Sequence, residues 1–355
     1  MNIRRLKPNN IIHNPRKRVG LEVEKCIIDR KGNPVFSIDG KLPYKHLSDV
    51  LADKMKQYGF TITCEVFRHQ IELVLSTPMM EEKAIDAMQE GFRCVQDYLA
   101  TQGLAFADQS HPLPYPGGGA DDVLTPFDFY TESMTKVNEK GRKMMKNNPL
   151  MDYVTPQAGY QVAIQKIGQQ AQDFSFARNA STCSLHQHTS LGDSHLTLQL
   201  VWALKLLESH SIDTGGSDWY QKFGMGSARY EAWKKIVNIR NQINETLFPF
   251  GKSLFGEGGV EKNPHNREQH ISQRYFGGKS IPWGNPYVPR DHQFAVLKAP
   301  GGTFTAELRG HDAPTNPDDI KTMVQRNKAL QQEACALVQE RLSQYQSAPK
   351  VYIVS

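Results

Sequence analysis

No run in the 355 residues approaches the roughly 20 apolar positions that a membrane-spanning helix needs, so a membrane partner is not expected. The opening Met1-Asn2-Ile3-Arg4-Arg5 lacks the apolar core of a secretory signal. Cysteine is sparse. Cys26, Cys64, Cys94, Cys183 and Cys335 are odd in number, widely spaced and without a CxxC, which indicates neither a disulfide framework nor a zinc ribbon. Reduced thiols in a cytoplasm are the expectation. A strong charge of one sign is missing as well, since the net charge is only +5. Its visible cluster, Arg16-Lys17-Arg18 with Arg4, Arg5 and Lys7 before it, has no aromatic or motif context for nucleic acid. A solvated lead-in over 1–18 is expected instead. Three glycines in Gly117-Gly118-Gly119 are not followed by GKS/T, so they are loop spacer and not a P-loop. No internal repeat or low-complexity tract is evident.

What remains is ordinary soluble composition, 22% charged and 39% hydrophobic, long enough for a large core. One catalytic-type domain over 19–347 with a short tail over 348–355 is the expected organisation. The stretch Val19-Gly20-Leu21-Glu22-Val23-Glu24-Lys25-Cys26-Ile27-Ile28-Asp29 has strand composition and is closed by turn chemistry at Lys31-Gly32-Asn33-Pro34. Side chains alternate along a strand, so Glu22 and Glu24 share one face and Leu21 and Val23 the other. One such pair is ordinarily the solvated face of an edge strand. The pattern, however, recurs.

Helical spacing over 44–58 is stopped by Gly59, and strands are expected over 60–67 and 70–76. Gln70 and Glu72 share a face opposite Ile71 and Leu73. Glu65 has the wrong parity to join them on a continuous strand, so the chain must turn or bulge near Arg68-His69 if all three converge. A helix over 81–101 has the buried stripe Ile85, Met88, Phe92, Val95 and Leu99. A polar helix over 129–146 and a strand over 159–165 carrying Gln161 follow. His186 and His188 then lie on one strand face, with Gly192-Asp193-Ser194 as turn and N-cap for an apolar helix. After a helix over 228–247, a Gly/Pro/Asn-rich loop over 248–291 contains Arg274 and Arg290, with Lys298 just beyond it. Glu307 and Arg309 share a face with Thr303 and Thr305, and Asn316-Pro317 caps a last long helix over 318–345.

Glu22/Glu24, Gln70/Glu72, His186/His188 and Glu307/Arg309 are thus four co-facial polar pairs in otherwise apolar strands. The expected fold is α+β: a curved antiparallel sheet with one polar face and helices packed on the other. Glu22, Glu24, Glu72 and Glu307 would then crowd together at a cost of several kcal/mol. Divalent cations are the simplest remedy, and carboxylates with a minority of imidazole suit Mg²⁺ or Mn²⁺ better than zinc.

In order from Val19 to Asp319, these motifs resemble the glutamine synthetase / glutamate–cysteine ligase superfamily of ATP-dependent carboxylate–amine ligases. Val19 to Glu24 is similar to the first metal-binding strand of that family, and Glu65-Val66 with Gln70-Ile71-Glu72 to its second. Asn179 to Leu191 resembles the loop leading into paired histidines. Ala306-Glu307-Leu308-Arg309 with Asp312 and Asn316-Pro317 resembles the closing strand. Ser76-Thr77-Pro78 and Gly159-Tyr160-Gln161 are closer to the glutamate–cysteine ligase branch, and there is no room before Gly20 for the β-grasp domain of glutamine synthetase.

The resemblance implies a glutamine synthetase-like catalytic domain and a two-step reaction. A substrate carboxylate, by family default glutamate, takes the γ-phosphoryl group of ATP, and an amine displaces phosphate to leave an amide. It implies Mg²⁺ or Mn²⁺ at Glu22, Glu24, Glu72, His186 and Glu307. Arg309, Arg290 and Glu307 would serve the chemistry, and His188, Arg274, Gln161 and Lys298 the nucleotide. Three other readings stand beside it: a guanidino kinase of the same fold, a non-haem iron centre built on His186 and His188, and a non-catalytic binding protein. A homo-oligomer is left open.

Overall fold

The computed structural model describes residues 6–65, 67–108, 123–126, 183–213 and 295–347. Its hub is strand β1 (Arg18–Asp29), preceded by a single turn of helix, α1 (Asn9–Ile12). There follow α2 (Pro43–Val50), α3 (Ala52–Tyr58), β2 (Phe60–Cys64), β3 (Gln70–Leu75), α4 (Glu81–Thr101) and β4 (Leu104–Phe106). Further on come β5 (Ser184–Ser190), α5 (Ser194–Asp213), β6 (Ala295–Lys298), β7 (Thr305–Asp312) and α6 (Asp319–Ser347). The strands form one antiparallel sheet in the order β2-β3-β1-β5-β7-β6, with β4 pairing the far end of β1. The sheet curls into a half-barrel, and the class is mixed α+β.

Alternation divides the sheet into two unlike faces. Val19, Leu21 and Val23 of β1 join Ile71 and Leu73 of β3 beneath Met88, Phe92 and Val95 of α4. Leu297, Ala306 and Leu308 of β6 and β7 pack with the leucines of α5 and with Leu330, Ala334 and Val338 of α6. A fully buried leucine such as Leu73 or Leu308 contributes about 1.5–3 kcal/mol by leaving water. The polar side chains are thereby directed to the opposite face, and that is how this core positions the site.

Local chemistry sets the helix ends. Gly59, at φ 73°, terminates α3 in the left-handed conformation. Asp193 Oδ1 accepts from the backbone N–H groups of His195 (2.9 Å) and Leu196 (3.0 Å) to start α5. Asn316 Oδ1 does the same for Asp318 (3.0 Å) and Asp319 (3.2 Å) at the start of α6.

Several expectations need correction. The helix expected over 44–58 breaks at Leu51 into α2 and α3. Ser48 Oγ donates back to the Tyr44 carbonyl at 2.7 Å and approaches that of Ile62 at 3.3 Å, a back-bond that bends helices. The strand expected over 60–67 stops at Cys64, because the chain turns through Arg68-His69 with Gln70 N–H donating to the Phe67 carbonyl at 3.0 Å. Strands β4 and β6, of three and four residues, were not expected; elements that short show no periodicity. Nor do the described residues 6–18 of the lead-in form a solvated arm. Leu6 and Ile11 are buried in the core, Leu6 N–H donates to Gln199 Oε1 at 2.8 Å, and Lys17 pairs with Glu81 at 2.8 Å.

The expected helices over 129–146 and 228–247, the strand over 159–165, the glycine spacer at 117–119, the loop over 248–291 and the tail over 348–355 lie outside the described residues. Among the described residues no helix is long and apolar enough to cross a membrane.

Candidate metal centre

Register brings the polar pairs into one row. Glu24 of β1 stands opposite Glu72 of β3, and Glu22 opposite His186 of β5. His188 in turn stands opposite Gly20 on one side and Glu307 of β7 on the other. A register shift between β5 and β7 falls at Leu185/Gln187, beside His186.

Three groups of side chains converge closely enough to share a cation, with ligand atoms all within 4.8 Å of one another. They are Glu22, Glu72 and His186; Glu22, His188 and Glu307; and Glu24, Glu65 and Glu72. His188 Nε2 is 3.0 Å from Glu22 Oε1, and His186 Nδ1 is 3.3 Å from Glu22 Oε2 and 3.6 Å from Glu307 Oε1. Glu307 has two further cationic neighbours, Arg309 Nε at 3.5 Å and Lys298 Nζ at 3.6 Å.

Burial raises the carboxyls of Glu22, Glu72 and Glu307, and the neighbours of each decide where it ends. For Glu72, burial and the adjacent Glu22, Glu65 and Glu24 all push the same way, and its carboxyl stands well above the usual range despite a hydrogen bond from Thr63 Oγ1 at 2.9 Å. Burial also acts to raise Glu22, but His188 and His186 outweigh it and hold that carboxyl well below the usual range. At Glu307 burial is overcome by Arg309, Lys298 and the two histidines, which bring it down to about 2. Burial lowers His188, and the Glu22 carboxylate more than restores it, leaving the imidazole above its ordinary value.

The donor set fits a hard divalent cation. Glu307 is 1% exposed, and among the described residues neither of its oxygens accepts a hydrogen bond. Buried carboxylate oxygens of that kind normally have a donor or a metal. Oxygen donors with single imidazoles match Mg²⁺ or Mn²⁺ chemistry.

Of the residues singled out from the sequence, Glu22, Glu24, Glu72, His186 and Glu307 come together, and His188 joins them as a direct neighbour of Glu22 and Glu307. Lys298 and Arg309 flank Glu307. Gln161, Arg274 and Arg290 lie outside the described residues. Glu65 joins these ligands beyond the sequence expectation, in the most acidic group. Its signal was the parity break, since the turn after Cys64 brings it round to Glu24 and Glu72. Ser184 lies on the same face two residues before His186 and carries no sequence signal of its own. Beyond Glu24, Cys26 Sγ lies 3.4 Å from Cys183 Sγ. That hydrogen bond outweighs burial and, with His69, brings the Cys26 thiol down to about 5.

No protein-family model matches the sequence, and no curated protein matches it either.

Proposed function

We propose that the polar face of the sheet holds divalent cations, Mg²⁺ or Mn²⁺, and that the chain is an ATP-dependent carboxylate–amine ligase on a sheet of the glutamine synthetase type. The observation that carries this reading is the row of Glu22, Glu24, Glu65, Glu72, His186, His188 and Glu307, drawn from β1, β3, β5, β7 and the turn after β2. Its order along the chain supports the family resemblance, and its chemistry supports the cation.

Bound cations would neutralise the charge of a nucleotide's phosphate chain as its terminal phosphoryl group moves to a carboxylate. Glu22, Glu24, Glu65, Glu72, His186 and Glu307 would hold them. Arg309, beside Glu307 on β7, would face the negative charge that develops on the transferred group or grip the acid substrate. Lys298 and His188 stand on either side of Glu307 as contacts for phosphate oxygens. Arg290, Arg274 and Gln161 enter on the sequence resemblance alone. Glutamate as the acid substrate rests on the same ground.

The iron reading is less well supported. A two-histidine, one-carboxylate centre needs both imidazoles at one ion, whereas each histidine-containing group here has one imidazole and two carboxylates. A guanidino kinase would use the same cations and is separated by its product.

The test is phosphate release from Mg-ATP, screened against glutamate and other amino acids with a panel of amines including cysteine and ammonia. Release of phosphate and ADP that requires both an acid and an amine, and is lost in Glu22→Gln and Glu307→Gln, is the expected result. A phosphorylated guanidine without amide would establish the kinase. No turnover across the panel, with no rise in melting temperature on adding Mg-ATP, would overturn the ligase reading.

A further inference from the structure

We propose that the Ser184 hydroxyl is a positioning group: it fixes the His186 ring so that Nδ1 is the nitrogen presented to the cation, and it ties that ring to Glu24. The inference rests on the cation reading above.

Ser184 is the first residue of β5 and is fully buried. Its Oγ lies 2.6 Å from Glu24 Oε2 and 2.7 Å from His186 Nε2. A hydroxyl has one proton to give and a carboxylate oxygen accepts, so the Ser184 O–H donates to Glu24. The remaining contact then runs the other way, with His186 Nε2–H donating to the Ser184 oxygen. With Nε2 occupied, the ring turns Nδ1 toward Glu22 Oε2 at 3.3 Å and Glu307 Oε1 at 3.6 Å, where the carboxylates converge.

The neighbouring histidine is held the opposite way round. His188 Nδ1 lies 3.0 Å from Thr305 Oγ1, and its Nε2 faces Glu22 Oε1 at 3.0 Å. Two imidazoles on one strand face therefore present different nitrogens, each because a hydroxyl takes the other. Ser184 has a second consequence. Glu24 and His186 belong to different ligand groups that share Glu72, so one hydroxyl stands behind both. Partners of this kind typically change metal affinity by about 10–100-fold when removed.

The experiment uses the full chain labelled with ¹⁵N-histidine and loaded with ¹¹³Cd²⁺, the His186 signals being assigned by their loss in His186→Gln. Mn²⁺ affinity is measured in parallel for the wild type, Ser184→Ala and Ser184→Thr. Cadmium coupling to Nδ1 of His186 with the Nε2 proton retained is expected in the wild type. Ser184→Ala should weaken Mn²⁺ binding about 10–100-fold and blur the choice of nitrogen. Ser184→Thr, which keeps the hydroxyl, should restore both. Ligation through Nε2 in the wild type would overturn the assignment, as would unchanged affinity and unchanged Nδ1 coupling in Ser184→Ala. If Ser184→Ala does not fold, the wild-type spectrum together with Ser184→Thr decides the matter. Failure of the wild type to take up either cation would overturn the cation reading and this inference with it, whereas uptake through the wrong nitrogen would overturn this inference alone.

Discussion

At one end of the polar row Glu72 faces three other carboxylates, Glu22, Glu65 and Glu24; at the other, Glu307 is set among Arg309, Lys298, His188 and His186. Glu307 is buried and Glu72 half-buried, and loss of water pushes both carboxyls upward. Their neighbours send them in opposite directions, Glu72 far above the usual range and Glu307 down to about 2. The acidic end is a repulsive arrangement held by the pairing of β1 and β3, which a bound cation would relieve. The basic end is neutralised largely by the chain's own cations and suits a ligand that brings negative charge. A nucleotide chelating divalent cations would satisfy both ends at once.

Substitution at the two ends should therefore have opposite signs in the cation-free protein. Glu307→Gln leaves Arg309 and Lys298 facing a neutral partner in a buried setting, and is expected to cost roughly 3–5 kcal/mol in denaturant unfolding. Glu72→Gln relieves repulsion and should stabilise the cation-free chain by about 1 kcal/mol, while Mn²⁺ affinity falls. Destabilisation by Glu72→Gln would break the comparison.

The pH dependence sharpens it. Glu72 and His188 both stand above their ordinary values, 4.5 and 6.5. Their contributions are full below those values and are lost as pH rises through the folded ones. Glu22 and Glu307 are depressed, so their contributions are present above pH 4.5 and are lost only in stronger acid. The Cys26 thiol, down at about 5, acts in the opposite sense as pH rises toward 9, so the comparison is made in Cys26→Ser: there the melting temperature of the cation-free protein should fall as pH climbs above 6.5, and saturating Mn²⁺ should flatten that fall. A melting temperature that rises over the same range without cation would contradict the assigned directions.

The smallest effect is a control on the helical side. Asn316→Ala removes the cap of α6 and should cost about 1 kcal/mol with Mn²⁺ affinity unchanged.

The fold was legible wherever alternation was strong. β1, β3 and β7 are largely apolar on one parity and carry charged groups on the other, and in β5 the two histidines share a parity while Gln187 and Thr189 on the other meet Asn327 and Gln331 of α6, so the shared face could be read before any pairing was known. The row of Glu22, Glu24, Glu72, His186 and Glu307 followed directly. Glu65 was only half legible, because a turn and not a strand delivers it. Strand β6 was too short to show a period, so Lys298, just beyond the expected loop, had no face assigned although it stands beside Glu307. The break at Leu51 depends on the Ser48 back-bond, a local choice that helical spacing does not record. Ser184 was invisible because a hydroxyl on a strand has no distinctive pattern; only its distances to Glu24 and His186 give it meaning.

The most direct test of the central claim is Mn²⁺ uptake, followed by loss of the free-ion electron paramagnetic resonance signal, in the wild type, Glu22→Gln and Glu72→Gln. More than one ion bound per chain, weakened by both substitutions and further tightened by ATP, is the predicted result. No uptake at millimolar Mn²⁺, or uptake indifferent to both substitutions, would contradict the account.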